Sequence, residues 1–342
     1  MDIKAAIRHL AQRQDFSAEQ MADLMRGIMS GAMTDAQIAA FLVALQLKGI
    51  CADEFLGATR VMRELVTRVD IVDNGHLVDT CGTGGAGTDT FNISTAGAMV
   101  AACAGAQVAK HGNRGSTSKS GSADLLEAAG VRLTLSPAQV AECIDKVGVG
   151  FMFAPGHHSA MKHVIGPRKE IGMRTIFNLL GPLTNPASAP NQLLGVNDAQ
   201  WIDMMLNVLA SLGSKHVLIV AAEDGLDEIS ISATTQVGEL RNGQISHYSI
   251  TPEEFGMRRR EGFANLQISD AQGSLALVRK ALSYEDEDAG DIVALNAGAA
   301  IYAANIEDSI AAGVHRAQEI LRSGAAVHKL EQLAAYTSRF ED

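Results

Sequence analysis

Residues 76–122 leave few folds open. His76-Leu77-Val78-Asp79-Thr80 reads as a short strand, and glycines at 82, 84, 85 and 87 break it. A helix of very small side chains follows over residues 96–104, then a second strand, Val108-Ala109-Lys110. A polar loop over residues 111–122 leads into a helix from about Asp124. Strand, helix, strand predicts a parallel sheet, because parallel neighbours need a crossover that a helix supplies. The first seventy residues differ. They show no β alternation, and Ser17 with Gln20 and Thr34 with Gln37 are candidate capping boxes. Gly31 and Gly49 read as stops, and Asp53 opens a third helical run to about Val69. Residues 70–75 are turn-like. Further strands are expected over residues 149–153 and 216–221, a hairpin over 238–250, and helices over 291–303 and 309–321. Residues 161–186 contain two short helical stretches and the turn Gly181-Pro182-Leu183-Thr184-Asn185-Pro186. The expected fold is α/β: a small all-helical domain plus a larger α/β domain with a mostly parallel central sheet.

Charge narrows the ligand. The chain has 39 acidic against 28 basic residues, a net charge of −11, which argues against a nucleic-acid partner. The 39 acids in 342 residues would put about four in any stretch of 34, yet residues 90–123 hold none and include Lys110, Arg114 and Lys119. Residues 146–197 hold one acid, Glu170, beside Lys146, Lys162, Arg168, Lys169 and Arg174. Two acid-poor segments in an acidic protein predict an anion between them. No apolar run is long enough for a membrane helix, and the start lacks a signal pattern, so a cytoplasmic chain with no membrane partner is expected. Cys51, Cys81, Cys103 and Cys143 form no C-x-x-C pair and read as reduced, small hydrophobes.

Four motifs carry chemistry. In the first, glycines bring backbone N–H groups close to a ligand, and Ser94-Thr95 open a helix whose N-terminus favours an anion. Gly82, Gly84 and Gly87 also fit G-x-G-x-x-G, but a dinucleotide site needs an acid after the second strand, where this chain has Lys110. No Gly-Lys-Ser/Thr ends the run, so it is not a P-loop either. The second motif, residues 110–122, mixes cations, hydroxyls and glycines with no apolar residue and suits a polyanion; the alternative is a solvated mobile loop. In the third, Glu223-Asp224-Gly225-Leu226-Asp227-Glu228 follows an apolar strand, and carboxylates at a strand's C-terminal end suit Mg²⁺. An acidic surface turn is the alternative. In the fourth, His157-His158 and Gly166-Pro167-Arg168 offer a polar pocket wall and a guanidinium able to hold a planar carboxylate.

Together and in this order, these motifs resemble the anthranilate phosphoribosyltransferases from end to end. The carrying residues are Gly82-Thr83-Gly84-Gly85, Asn92-Ile93-Ser94-Thr95, Lys110-His111-Gly112-Asn113-Arg114, Ser118-Lys119-Ser120-Gly121, Asn178-Leu179-Leu180 with the 181–186 turn, and Asp227-Glu228. The resemblance implies the fold class shared by nucleoside phosphorylases and phosphoribosyltransferases. It implies a helical domain of residues 1–70 with a return near 163–186, an α/β domain of residues 71–162 and 187–342, and a homodimer through the helical domain. The implied reaction, the second step from chorismate to tryptophan, moves the phosphoribosyl group of phosphoribosyl pyrophosphate (PRPP) to the amine of anthranilate.

By the same resemblance PRPP meets Gly82, Gly85, Ala86, Thr90, Asn92, Ile93, Ser94, Thr95, Lys110, His111, Gly112, Asn113, Arg114, Gly115, Ser116, Thr117, Ser118 and Ser122. Magnesium, two ions with PRPP, sits on Ser94, Asp227 and Glu228. Anthranilate meets Gly82, Asn113 and Arg168, with His111 and His158 lining the way in. No acid–base pair is expected. Lys110, Arg114 and Lys119 act electrostatically. The chain departs from the family where Ala86 replaces an acid, which predicts an altered response to magnesium. Cys81 stands for an aliphatic residue and Thr117 for a serine. A nucleoside phosphorylase-like enzyme is the rival reading, set apart by Asn113 with Arg168 and by Asp227-Glu228. A non-enzymatic nucleic-acid binder would need a basic stripe.

Overall fold

The computed structural model describes residues 1–84, 87–115 and 118–340. Four helices come first: α1 (Ile3–Ala11), α2 (Ala18–Met29), α3 (Asp35–Lys48) and α4 (Ala52–Glu64). Both expected capping boxes form. Gln20 N donates to Ser17 Oγ and Ser17 N to Gln20 Oε1, and Thr34 and Gln37 repeat the exchange. Each satisfies two otherwise orphaned donors, and an N-cap contributes ~1 kcal/mol. Gly49, at φ 92°, ends α3. The third run stops at Glu64 and not near Val69. Beyond it Thr67 N donates to the His157 carbonyl and Val69 N to that of Pro186, so these N–H groups are spent across the molecule.

The chain then alternates: β1 (Leu77–Gly82), α5 (Ile93–Cys103), β2 (Gln107–Gly112), α6 (Ser122–Ala128), α7 (Pro137–Val147), β3 (Val149–Phe153), α8 (Ala154–His157), α9 (Lys162–Ile171), α10 (Phe177–Leu180), β4 (Asn191–Gly195), α11 (Ile202–Ser211) and β5 (His216–Ala222). The hairpin β6 (Thr235–Arg241) and β7 (Gln244–Ile250) follows, then α12 (Ala271–Leu282), α13 (Glu287–Ala303), α14 (Ile310–Ser323) and α15 (Ala325–Thr337). The strands form one sheet in the order β3-β2-β1-β4-β5-β6-β7. The first five are parallel, and β6 and β7 run antiparallel.

From β1 the chain winds outward to β2 and β3, then returns to place β4 on the other side of β1. A crevice therefore opens where β1 and β4 end, the usual ligand position in an open α/β sheet. β4 was not expected from the sequence. Its first two residues are polar yet buried: Asn191 Nδ2 donates to the Leu77 carbonyl and Gln192 Nε2 to that of Pro182, both at 2.9 Å. They interrupt the apolar run that signals a central strand.

Alternation along the strands divides the core. Val78, Leu193, Leu218 and Val220 join α5 and α13 on one face. Cys81, Leu194, Val217 and Ile219 join the first four helices and α11 on the other. The small residues of α5 let it pack closely against α13, with Gly97 facing the Ala297 backbone. The return segment completes the helical unit: α9 packs on α2 and α3, and α10 on α4. One wall of the crevice is thus the helical unit, and the other is the N-terminus of α5 with the loop after β2.

Candidate active site

Two glycines shape the crevice floor. Gly82 ends β1 and is paired with Gly195, which ends β4. A side chain on Gly195 would strike the Asp227 carbonyl at 1.7 Å, and one on Gly82 would meet Asp227 Oδ2 at 3.0 Å. Only bare backbone lets the loop after β5 cross both strand ends. Asp227 Oδ2 accepts the Gly84 N–H at 3.1 Å, and Gly84 holds a left-handed φ of +63°. The carboxylate motif and the glycine motif, 143 residues apart, therefore meet.

Ser94 and Glu228 meet as well. Ser94 N, in the first turn of α5, donates to Glu228 Oε1 at 3.2 Å. Lys110, on β2, is buried, and its Nζ donates to the Thr80 carbonyl and, at 3.2 Å, to Ser94 Oγ. Burial, and then the neighbouring Asp227 charge, push the Glu228 carboxyl up to about 8, and burial also raises Asp227. Burial lowers Lys110, and the charges of Asp79 and Glu228 work against that fall. Two adjacent half-buried carboxylates whose pKa values are raised, beside a serine hydroxyl, form an oxygen donor set suited to a hard divalent cation.

The second loop is drawn against the first. Gly115 N and Gly121 N both donate to Asp124 Oδ2, at 2.8 and 2.9 Å. A side chain on Gly121 would strike Gly115 N at 2.2 Å. Lys119 N donates to Asp89 Oδ1, and Asn92 Nδ2 to the Ser120 carbonyl. The Asn113 side chain is exposed at the lip, and its Oδ1 accepts Arg114 N. Arg114 turns elsewhere. Its guanidinium pairs with Asp124 and Glu127 and lies over the Phe153 ring. Its positive charge is thus balanced by two carboxylates, whereas Lys110 stands within the carboxylate cluster.

On the face toward the helical unit, His111 and His158 are buried with their Nε2 atoms 3.2 Å apart. Burial, then the neighbouring histidines, lowers His111 to about 3, and burial with His157 lowers His158 to about 4. Both rings are therefore neutral near pH 7. Arg168, on α9, is half-buried over the Phe177 ring.

Several expected PRPP residues have side chains engaged within the protein. Ile93 is in the core, and the Thr95 hydroxyl donates to Ser122 Oγ. Thr90 bridges to Gln267, and Ser118 Oγ lies 3.4 Å from the Ser120 carbonyl. Gly112 ends β2 below the loop. Gly85, Ala86, Ser116 and Thr117 lie outside the described residues. Sequence reasoning missed Ser274, buried on α12, whose Oγ accepts Asn92 N and donates to Asn92 Oδ1. It also missed Asp79, whose buried carboxylate accepts His111 N at 3.2 Å. Ser274 stands in no motif, and Asp79 opens the glycine motif without a role of its own; only the fold shows what each holds.

A family model described as the a/b domain of a glycosyl transferase family matches residues 74–327, and the helical bundle domain of that family matches residues 4–66. The anthranilate phosphoribosyltransferase of Thioalkalivibrio sulfidiphilus is 56% identical over 338 residues, 99% of each chain. The chain belongs to the anthranilate phosphoribosyltransferases. The crystal structure of that family's member from Thermus thermophilus superposes with a TM-score of 0.91 at 40% identity, covering 97% of this chain and 99% of the other. The Saccharomyces cerevisiae member, solved in complex with PRPP and Mg, superposes with a TM-score of 0.89 at 25% identity, covering 99% and 98%. Family membership accounts for the glycine, lysine and carboxylate motifs meeting at one crevice. Among the described residues no helix is long and apolar enough to cross a membrane.

Proposed function

We propose that the crevice transfers the phosphoribosyl group of PRPP to the amine of anthranilate, giving N-(5-phosphoribosyl)anthranilate and pyrophosphate. The observation that carries this is the meeting of Asp227-Glu228, Ser94-Lys110 and the glycine loop at the C-terminal ends of β1 and β4. It supplies oxygen donors, a buried cation and backbone N–H groups at one place.

In this reading Ser94, Asp227 and Glu228 would hold magnesium, two ions with PRPP; the yeast relative was solved in complex with PRPP and Mg. Bound there, magnesium would neutralise charge on the departing pyrophosphate. Lys110 and the N-terminus of α5 add positive potential at the same end, and Lys119 lies on the loop that would cover it. Gly82, Gly85, Ala86, Thr90 and residues 92–95, 110–118 and 122 surround PRPP. Arg114 serves by fixing the second loop through Asp124 and Glu127. The C1–oxygen bond to pyrophosphate breaks, the C1–nitrogen bond forms and the amine loses one proton. An aromatic amine is neutral at pH 7, so positioning does more than a base would.

Arg168 and Asn113 hold the anthranilate carboxylate, with Gly82 at its floor. His111 and His158, uncharged, line its approach. The chain is a homodimer through the unit formed by residues 1–70 and 163–186. Supporting this, α3 is apolar on most sides and leaves Leu47 70% exposed, while α9 leaves Ile165 57% exposed. The test is loss of anthranilate fluorescence with PRPP and Mg²⁺, pyrophosphate being followed in parallel. Stoichiometric, magnesium-dependent loss is expected. A folded chain that turns over nucleosides with phosphate, and not anthranilate with PRPP, would contradict the proposal.

A further inference from the structure

The segment after α9 carries a residue that no motif explains. α9 ends at Gly172, whose left-handed φ of 65° turns the chain toward the crevice. Thr175 is buried, and its N–H donates to Asn178 Oδ1 at 2.9 Å, fixing the base of this turn. Between them Arg174 leaves the helical unit, and its Nη2 donates to the Gly84 carbonyl at 3.1 Å. Gly84 is the residue whose N–H donates to Asp227 Oδ2, also at 3.1 Å. It is therefore gripped on both sides, by the metal-binding loop through its nitrogen and by the helical unit through its oxygen.

A left-handed glycine has no side chain to pin it, and its conformational freedom must be restrained before its backbone can cradle an anion. Here the restraint comes from side chains that hydrogen-bond the Gly84 backbone, and Arg174 supplies one such bond from across the crevice. Asn113 and Arg168 have no such link to Gly84, so the restraint bears on the pyrophosphate end of the site.

We infer that Arg174 is a positioning residue for phosphoribosyl transfer: it straps the glycine loop to the helical unit, so that the magnesium–pyrophosphate end of the donor meets a preformed cradle. This rests on the function proposed above. The strap acts on the donor and not on the aromatic acceptor, and it ties donor binding to the placement of the helical unit.

The test compares wild type with Arg174→Ala and Arg174→Lys by calorimetric titration with magnesium and PRPP, without anthranilate, and by kinetics with each substrate varied. Losing a charge-assisted hydrogen bond should weaken PRPP binding and raise its KM by about tenfold, with the anthranilate KM held within about twofold. Arg174→Lys, which keeps a charge and a donor, should recover to within about threefold of wild type. Melting temperatures should agree to within about 2 °C, as for a surface side chain. Arg174→Gln replaces the alanine variant if that one does not fold. Unchanged PRPP binding in Arg174→Ala overturns the inference. So does a joint rise in both KM values with a fall in melting temperature that lysine does not rescue, since that marks a merely structural residue. If wild type binds PRPP but leaves anthranilate unconsumed, the transfer reading fails and the binding comparison still decides Arg174. If wild type does not bind PRPP, both fail.

Discussion

The two ends of β5 hold buried polar clusters of opposite character. At its start, His216 bonds Asn305 Oδ1 and Glu239 Oε1, and Glu239 also accepts the hydroxyls of Tyr302 and Tyr248. Burial works to raise Glu239, but hydrogen bonds from His216, Tyr302 and Tyr248 outweigh it and bring it to about 2. Past the other end, Asp227 and Glu228 are half-buried with few donors, and both are pushed up. Nearby, Thr83 Oγ1 and Thr175 Oγ1 are buried without a hydrogen-bond partner. These lie just past β1 and in the segment beside Arg174. Buried polar atoms are nearly always paired, and strongly perturbed groups gather where ligands bind. The saturated cluster holds the antiparallel edge of the sheet in place. The unsaturated one is built to receive charge.

The sharpest way to break this contrast is to neutralise one acid in each cluster. Asp227→Asn should lower kcat/KM by roughly 10²–10³-fold, ~3–4 kcal/mol of transition-state stabilisation, and leave metal-free stability unchanged or slightly higher. Steady-state kinetics and urea unfolding check both halves. Glu239→Gln should do the reverse. Stripping three donors of their charged acceptor should cost about 2–4 kcal/mol in urea unfolding, while kcat/KM of the folded variant stays within about twofold. Loss of activity without loss of stability in Glu239→Gln would dissolve the distinction.

Smaller effects sharpen it. Arg168→Ala should raise the anthranilate KM by about tenfold and leave the PRPP KM near wild type, since the proposed partner of the guanidinium is the anthranilate carboxylate. An unchanged anthranilate KM would remove Arg168 from that role. The histidine pair gives a pH signature. His111 and His158 are depressed to about 3 and about 4, so between those values and the unfolded pKa the unfolded chain binds protons that the folded chain refuses. Stability is therefore lost as pH falls below ~6.5, by up to ~1.4 kcal/mol per pH unit for each ring. His158→Asn should flatten that slope in urea unfolding between pH 6.5 and 5; an unaltered slope would mean the rings are not held neutral. The subtlest change is Ala86→Asp, expected to shift the magnesium dependence of the rate. Superimposable titrations would show that position 86 does not set metal use.

How much of this was legible in the sequence depends on whether a signal is local. Capping boxes and glycine stops are local, and α2 and α3 appeared as read, whereas α1 was not read and α4 ended at Glu64, short of Val69. The 216–221 strand and the 238–250 hairpin are apolar or alternating, and they too appeared. β4 was hidden because Asn191 and Gln192 are polar residues whose partners, the Leu77 and Pro182 carbonyls, lie outside the strand. In the site, Asp227 and Glu228 were visible as clustered acids at a strand end. Arg114 and Arg174 were two cations of the same kind on paper. The fold sends one to Asp124 and Glu127 and the other to Gly84. A sequence shows charge but not the partner that claims it. Ser274, with no motif around it, became meaningful only when α12 set it against Asn92.

The most direct test of the contrast is the change in melting temperature on adding magnesium and PRPP to wild type, Asp227→Asn and Glu239→Gln. A ligand at a hundredfold excess over its Kd stabilises the folded state by ~2.7 kcal/mol. Wild type should show that gain, Asp227→Asn should lose most of it, and Glu239→Gln should melt lower yet gain as much as wild type. A full gain in Asp227→Asn, or its loss in Glu239→Gln, would contradict the assignment of one cluster to ligand and the other to fold.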